Sequence, residues 1–225
     1  MKDFIFEKGD KIVFAGDSVT DAGRKQPIAE AEHDWLGRGY VRDIESLLGA
    51  VYPDVPLRIV NVGTSGNNSR DLLARFERDV TSQNPQWVSI LIGINDVWRI
   101  FDTPAIPENT VSTHEYKKNL IAMIEAARAL DSLKGIILCT PYYMEPNESD
   151  IMRAEMDKYS EIVRELAKEY GCILVDFQEL LAKYCTVRHS SFLAWDRVHP
   201  NQRGATLLAR EFLSHCGFDY EHKAY

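Results

Sequence analysis

The sequence predicts a doubly wound α/β domain built on a parallel sheet, and three observations predict it. Short apolar, β-branched runs recur along the chain, each continuous in its hydrophobicity rather than alternating, as strands buried on both faces are. Amphipathic stretches of helical period separate them. The length of 225 residues suits one domain over 1–225 better than two, and no repeat, low-complexity tract or linker interrupts it.

The strand-like runs lie at 11–15, 57–61, 87–92, 135–140 and 172–176. Between the second and third, Leu72, Leu73, Phe76 and Val80 repeat at helical spacing over 69–80, with Ser69 as a candidate N-cap. Ser112 and Glu115 read as a capping box for a helix through Tyr116, Leu120, Met123, Ile124 and Ala127. The next helix carries Ile151, Tyr159, Ile162, Val163 and Leu166 and stops at Gly171. The last begins near Gly204, turns Leu207, Leu208 and Phe212 inward and ends before Gly217. The stretch 102–109 reads as a surface loop. Strands alternating with helices demand right-handed crossovers, and ligands of such sheets bind beyond the carboxyl ends of the strands.

Composition narrows the function. Hydrophobic residues make up 45% and charged residues 27%, enough core for a globular domain and no sign of disorder. A net charge of -8 leaves no basic stripe to neutralise phosphates, so nucleic acid is not an expected partner. The start, MKDFIFEKGDK, has charges on both sides of a very short apolar patch, and no run is as long as a membrane span. Cys139, Cys172, Cys185 and Cys216 form no C-x-x-C pair, which fits a reduced cytoplasmic setting.

The strand exits carry the chemistry. Gly16-Asp17-Ser18-Val19-Thr20-Asp21 follows the first strand. Its small residues let the backbone turn and present a hydroxyl, which needs an adjacent base to become a nucleophile. By itself the run is equally a capped turn. It is not the G-x-S-x-G elbow, and no P-loop or G-x-G-x-x-G follows the strand. Asp17 is expected to brace the turn. After the second strand comes Asn61-Val62-Gly63-Thr64-Ser65-Gly66, where Gly63 would let a backbone N–H approach a ligand; a plain βα loop is the alternative. After the third, the Asn95 amide of Gly93-Ile94-Asn95-Asp96 is a candidate donor to a developing oxyanion; an Asx turn at the strand exit is the alternative.

Near the C-terminus, Trp195-Asp196-Arg197-Val198-His199-Pro200 sets a carboxylate three residues before an imidazole. In a compact turn Asp196 would accept from one ring nitrogen and free the other for Ser18. The other histidines (His33, His114, His189, His215, His222) are read as structural or surface residues. None of the six has metal-ligand spacing, so neither a metal nor a cofactor is expected.

Together these segments resemble the SGNH (GDSL-type) hydrolase superfamily, whose signature residues match Ser18, Gly63, Asn95 and His199, with the acid at Asp196. The resemblance covers nearly the whole chain in order. It implies a flavodoxin-like three-layer α/β/α sandwich with a five-stranded parallel sheet. It also implies an oxyanion hole made of the Ser18 and Gly63 backbone N–H groups and the Asn95 side chain. Within that superfamily, the segments 16–18, 36–41, 87–90, 93–99, 134–138 and 194–200 are similar to the bacterial intracellular acetylxylan esterases, which remove acetyl groups from xylo-oligosaccharides.

The resulting expectation is a Ser-His-Asp esterase acting on a small-molecule or oligosaccharide ester, with Trp98, Trp195 and Tyr142 as candidate pocket walls. Ordinary packing is the alternative for those aromatics. A lysophospholipase or thioesterase of the same superfamily keeps the mechanism and changes the substrate. A non-catalytic flavodoxin-like binding module would need none of the strand-exit residues. The aromatic tail (Phe218, Tyr220, Tyr225) is a candidate homo-oligomer contact or a fold-back onto its own domain.

Overall fold

A computed structural model describes residues 3–30 and 34–224; His33 and Tyr225 lie outside the described residues. Five parallel strands, β1 (Lys11–Gly16), β3 (Arg58–Asn61), β4 (Trp87–Leu91), β5 (Gly135–Cys139) and β6 (Ile173–Val175), match the apolar runs of the sequence. A two-residue strand, β2 (Ala29–Glu30), adds a sixth, and it pairs antiparallel with β3 at the sheet edge. Two residues are too few to show a hydrophobic period, so this edge is invisible in the sequence. The bidentate pair of Arg58 and Glu30, at 2.6 and 3.1 Å, helps to pin it.

The sheet order is β2-β3-β1-β4-β5-β6. Counted on the parallel strands alone this is the flavodoxin-like order, and the chain reverses direction across the sheet at β1. The crevice at that reversal lies beyond the ends of β1, β3 and β4, which is where the three sequence segments of interest leave the sheet.

Helices cover both faces. On one, α2 (Tyr40–Val51) packs on α8 (Gln202–His215), with α7 (Phe177–Cys185) beside it. On the other, α3 (Ser69–Asp79), α5 (Thr113–Arg128) and α6 (Ile151–Glu169) pack in sequence, with α4 (Ile94–Asp102) against α6. The one-turn α1 (Ser18–Asp21) follows β1 directly. β4 is buried from end to end and β1 from Ile12 onward, which explains their unbroken hydrophobicity there.

Some local expectations shift. Asn68, not Ser69, caps α3, closing a capping box with Asp71. Ser112 caps α5, but the Glu115 carboxylate is engaged by Arg70. Ile151 stands 73% exposed at the start of α6 rather than facing the core. Residues 94–102 form a helix, so the predicted surface loop begins only after it. The tail turns back on its own domain: Phe218 and His222 pack on Tyr52, whose hydroxyl accepts the Asp219 N–H. Among the described residues no helix is long and apolar enough to cross a membrane.

Candidate active site

β1 ends in a turn that presents a serine. Asp17 caps α1, its Oδ1 accepting the Val19 N–H at 2.9 Å, so Ser18 is the first residue of the helical turn. First-turn N–H groups have no acceptor within their own helix, and the Ser18 N–H is one of them. Burial pushes the Asp17 carboxyl up to about 7, against the pull of the Val19 N–H, and nearby Asp96 pushes the same way.

The loop before α8 supplies the partners. Asp196 Oδ1 accepts the Val198 and His199 N–H groups at 3.0 and 2.8 Å, an Asx-type turn that folds the chain back on itself. Asp196 Oδ2 lies 2.6 Å from His199 Nδ1, and His199 Nε2 lies 2.8 Å from Ser18 Oγ. A carboxylate only accepts, so Nδ1 carries the proton toward Asp196 and Nε2 is left to accept from the serine hydroxyl. Burial raises the Asp196 carboxyl, but the His199 ring and the two N–H groups outweigh it and hold it below the ordinary carboxylate range.

That turn requires Arg197 at φ +66, the left-handed region, which costs a non-glycine residue on the order of 1 kcal/mol. Its neighbours hold it there. Arg197 pairs with Glu145 at 2.9 Å and its carbonyl accepts the Met144 N–H. Tyr142 donates its hydroxyl to the Val198 carbonyl at 3.0 Å.

Asn95 lies in the first turn of α4 and donates one amide N–H to the Asn67 carbonyl at 2.9 Å, which leaves the second for a ligand. Asn67 is held in turn by Arg75, a residue the sequence reading passed over. Arg75 Nε donates to Asn67 Oδ1 at 2.6 Å, and the same guanidinium grips the carbonyls of Val62 and Gly16. One buried cation thus ties the exits of β1 and β3 to the loop that orients Asn95. The available signal was a charge inside the apolar stripe of α3, between Leu72 and Phe76. Asp96, beside Asn95, accepts from the Ser69 N–H and hydroxyl, and burial lifts it to about 7.

The two glycines of the β3 exit play different parts, and here the expectation for Gly63 is corrected. The Gly63 N–H is donated to Asn61 Oδ1 at 2.9 Å and its carbonyl accepts from Arg24 Nε at 2.6 Å. A Cβ at Gly63 would sit 2.4 Å from the Asp21 nitrogen, so this glycine serves close backbone packing. Gly66, at φ +84, lines the cleft with Ser18, Asn95 and His199. Its position is set by the preceding Ser65, whose N–H and hydroxyl both donate to Asp21 Oδ2 on the helical turn that begins at Ser18.

The cleft has a volume of about 500 Å³. Of the three aromatic candidates, only Trp98 lines it, with its ring 6.0 Å from that of His199. Tyr142 is buried, facing a void of about 10 Å³ beneath Asp17, so it supports the histidine loop instead of forming a pocket wall. Trp195 projects outward, 87% exposed, and does not line the cleft. Among the described residues, no group of three or more His, Cys, Asp or Glu is arranged to hold a metal ion.

Comparison with known proteins gives a consistent set of relatives. The GDSL-like lipase/acylhydrolase family matches residues 14–207. The acetylxylan esterase of Geobacillus stearothermophilus is 47% identical over 212 residues, 94% of this chain and 96% of that protein. Its crystal structure aligns with a TM-score of 0.94 at 45% identity, over 98% of this chain and 100% of that one. Catalytic variants of that esterase carry alanine at a serine, at an aspartate, and at a histidine three residues after the aspartate. An alpha/beta hydrolase enzyme from the metagenome of Lake Arreo aligns with a TM-score of 0.91 at 44% identity, covering 95% of this chain and 98% of its own.

Proposed function

This chain belongs to the GDSL-like lipase/acylhydrolase family and is a carboxylic ester hydrolase, and on that premise we propose that it is a serine esterase removing acetyl groups from carbohydrates, acetylated xylo-oligosaccharides foremost. The observation that carries the reading is the hydrogen-bonded relay from Asp196 through His199 to Ser18, opening on a cleft that the Asn95 amide also lines.

The reaction is two-step acyl transfer. Ser18 Oγ attacks the ester carbonyl while His199 Nε2 takes its proton, and Asp196 keeps the ring in the required tautomer and balances the imidazolium. The negative charge on the tetrahedral oxygen is met by the Ser18 N–H, the free N–H of Asn95 and the Gly66 N–H. Gly66 takes the part first assigned to Gly63, because the Gly63 N–H is already engaged by Asn61. His199 then protonates the departing alcohol, and water repeats the cycle to release acetate.

A cytoplasmic place of work is consistent with Cys139, Cys172 and Cys185, none of which is joined in a disulfide. The decisive experiment is acetate release from acetylated xylose, glucose and chitin-type oligosaccharides by the parent and by Ser18→Ala. The variant should stay folded and lose roughly a millionfold in kcat; near-parental turnover would sink the reading. Octanoyl esters cleaved faster than acetyl esters would favour a lysophospholipase or thioesterase instead. Failure of Ser18 to label with a fluorophosphonate would point to a non-catalytic binding module.

A further inference from the structure

One wall of the cleft is a single face of a single helix. Asn95, Trp98, Arg99 and Asp102 stand at i, i+3, i+4 and i+7 of α4, the spacing that stacks side chains in one stripe. All four line the cleft. At 1.5 Å per residue the stripe runs ~10 Å along the helix, starting at the amide that faces the reacting carbonyl.

The chemistry changes along that length. The indole of Trp98 comes first, tilted by 44° against the His199 ring. The outer end is a guanidinium and a carboxylate: Arg99 donates through Nη1 to Asp102 Oδ2, and each side chain keeps 31% of its surface exposed. The pair is neutral as a unit, yet presents several N–H donors and a carboxylate acceptor side by side. Hydroxyl groups both donate and accept, so a polyol satisfies such a pair, while a fatty chain would strand it without partners. A long acyl chain needs an apolar groove, and this wall ends polar.

We propose that the stripe is the binding site for the alcohol half of the ester: a neutral glycoside whose acetylated ring lies on Trp98 and whose next ring is hydrogen-bonded by Arg99 and Asp102. This rests on the acetyl-carbohydrate reading above and adds where the sugar lies and which residues select it. The ~10 Å reach is about that of two linked pyranose rings, so a disaccharide gains from the outer pair what a single ring cannot.

The test is the ratio of kcat/KM on monoacetylated xylobiose to kcat/KM on p-nitrophenyl acetate, whose leaving group has no sugar hydroxyls. Arg99→Ala and Asp102→Ala should each lower that ratio tenfold or more, chiefly through KM on the disaccharide, because they remove binding that ground and transition states share. Asp102→Asn, which keeps an acceptor, should recover part of the loss. Thermal melts accompany each variant. An unchanged ratio in both alanine variants, or an equal fall on both esters, would make the pair a helix staple and overturn the site. If Ser18-dependent activity of the parent shows no preference for acetylated glycosides, the acetyl-carbohydrate reading fails and takes this site with it. A parental preference retained by the variants overturns the site alone.

Discussion

The exchange of roles between Gly63 and Gly66 can be tested by giving each a single methyl group. At Gly66 a new Cβ meets nothing within 4 Å, but φ +84 is strained for any L side chain. The cost is roughly 1–2 kcal/mol, and for a chain of this size each kcal/mol shifts the melting temperature by about 2–4 °C. Easing that strain rotates the Gly66 peptide, and losing one oxyanion donor is worth on the order of 10²–10³ in kcat. At Gly63 the same methyl would lie 2.4 Å from the Asp21 nitrogen and 2.7 Å from the Thr20 carbonyl carbon, both backbone atoms. Neither can swing aside as a side chain would, so overpacking of about 1–3 kcal/mol or more is expected. It presses directly on the helical turn that carries Ser18.

The assay is a thermal melt with kcat and KM on p-nitrophenyl acetate for both variants. Gly66→Ala should remain folded and lose turnover with little change in KM. Gly63→Ala should show the larger drop in melting temperature. A Gly63→Ala protein that melts with the parent yet loses 10²–10³ in kcat, beside a fully active Gly66→Ala, would return the donor to Gly63 and refute the argument from the Asn61 hydrogen bond.

Asn95→Ala should lower kcat by on the order of 10²–10³ with KM steady; an effect confined to KM would remove Asn95 from the oxyanion hole. Asp17 keeps its proton in the fold up to about pH 7 but releases it near pH 4 when unfolded. Its contribution to stability is therefore whole below about pH 4 and is lost as pH rises towards 7. Asp17→Asn, which still accepts from Val19, should gain in melting temperature relative to the parent between pH 5 and pH 8; a constant difference would contradict a buried neutral carboxyl. Tyr142→Phe removes the donor to the Val198 carbonyl and should cost about 1 kcal/mol, read as a lower melting temperature with KM for acetylated glycosides unmoved. A raised KM at parental stability would put Tyr142 back in the cleft.

Much of this protein is written locally in its chain. Unbroken apolar runs of β-branched residues mark strands covered on both faces, and the five parallel strands of the sheet stand where those runs do. The residues proposed to react were legible for the same reason, and the fold brings them to one cleft: Ser18, Asn95 and the Asp196–His199 pair each sit in a short motif at a turn, where side-chain type and spacing state what a group is able to do. Arg75 was missed because a charged residue on an amphipathic helix looks solvated until the strand ends that it grips are placed around it.

Sequence by itself therefore determined the doubly wound sheet and marked the groups proposed to react. Tertiary structure alone decided which of them are free to act. Gly63 and Gly66 differ by three positions, and only the folded Asn61 side chain shows whose N–H is taken. Trp98 and Trp195 are equally aromatic, yet one turns into the cleft and the other into solvent. The reason is physical: a residue's type sets its capacity to donate, accept or pack, while its partners come from far along the chain, as His199 does for Ser18, and local pattern carries no record of them.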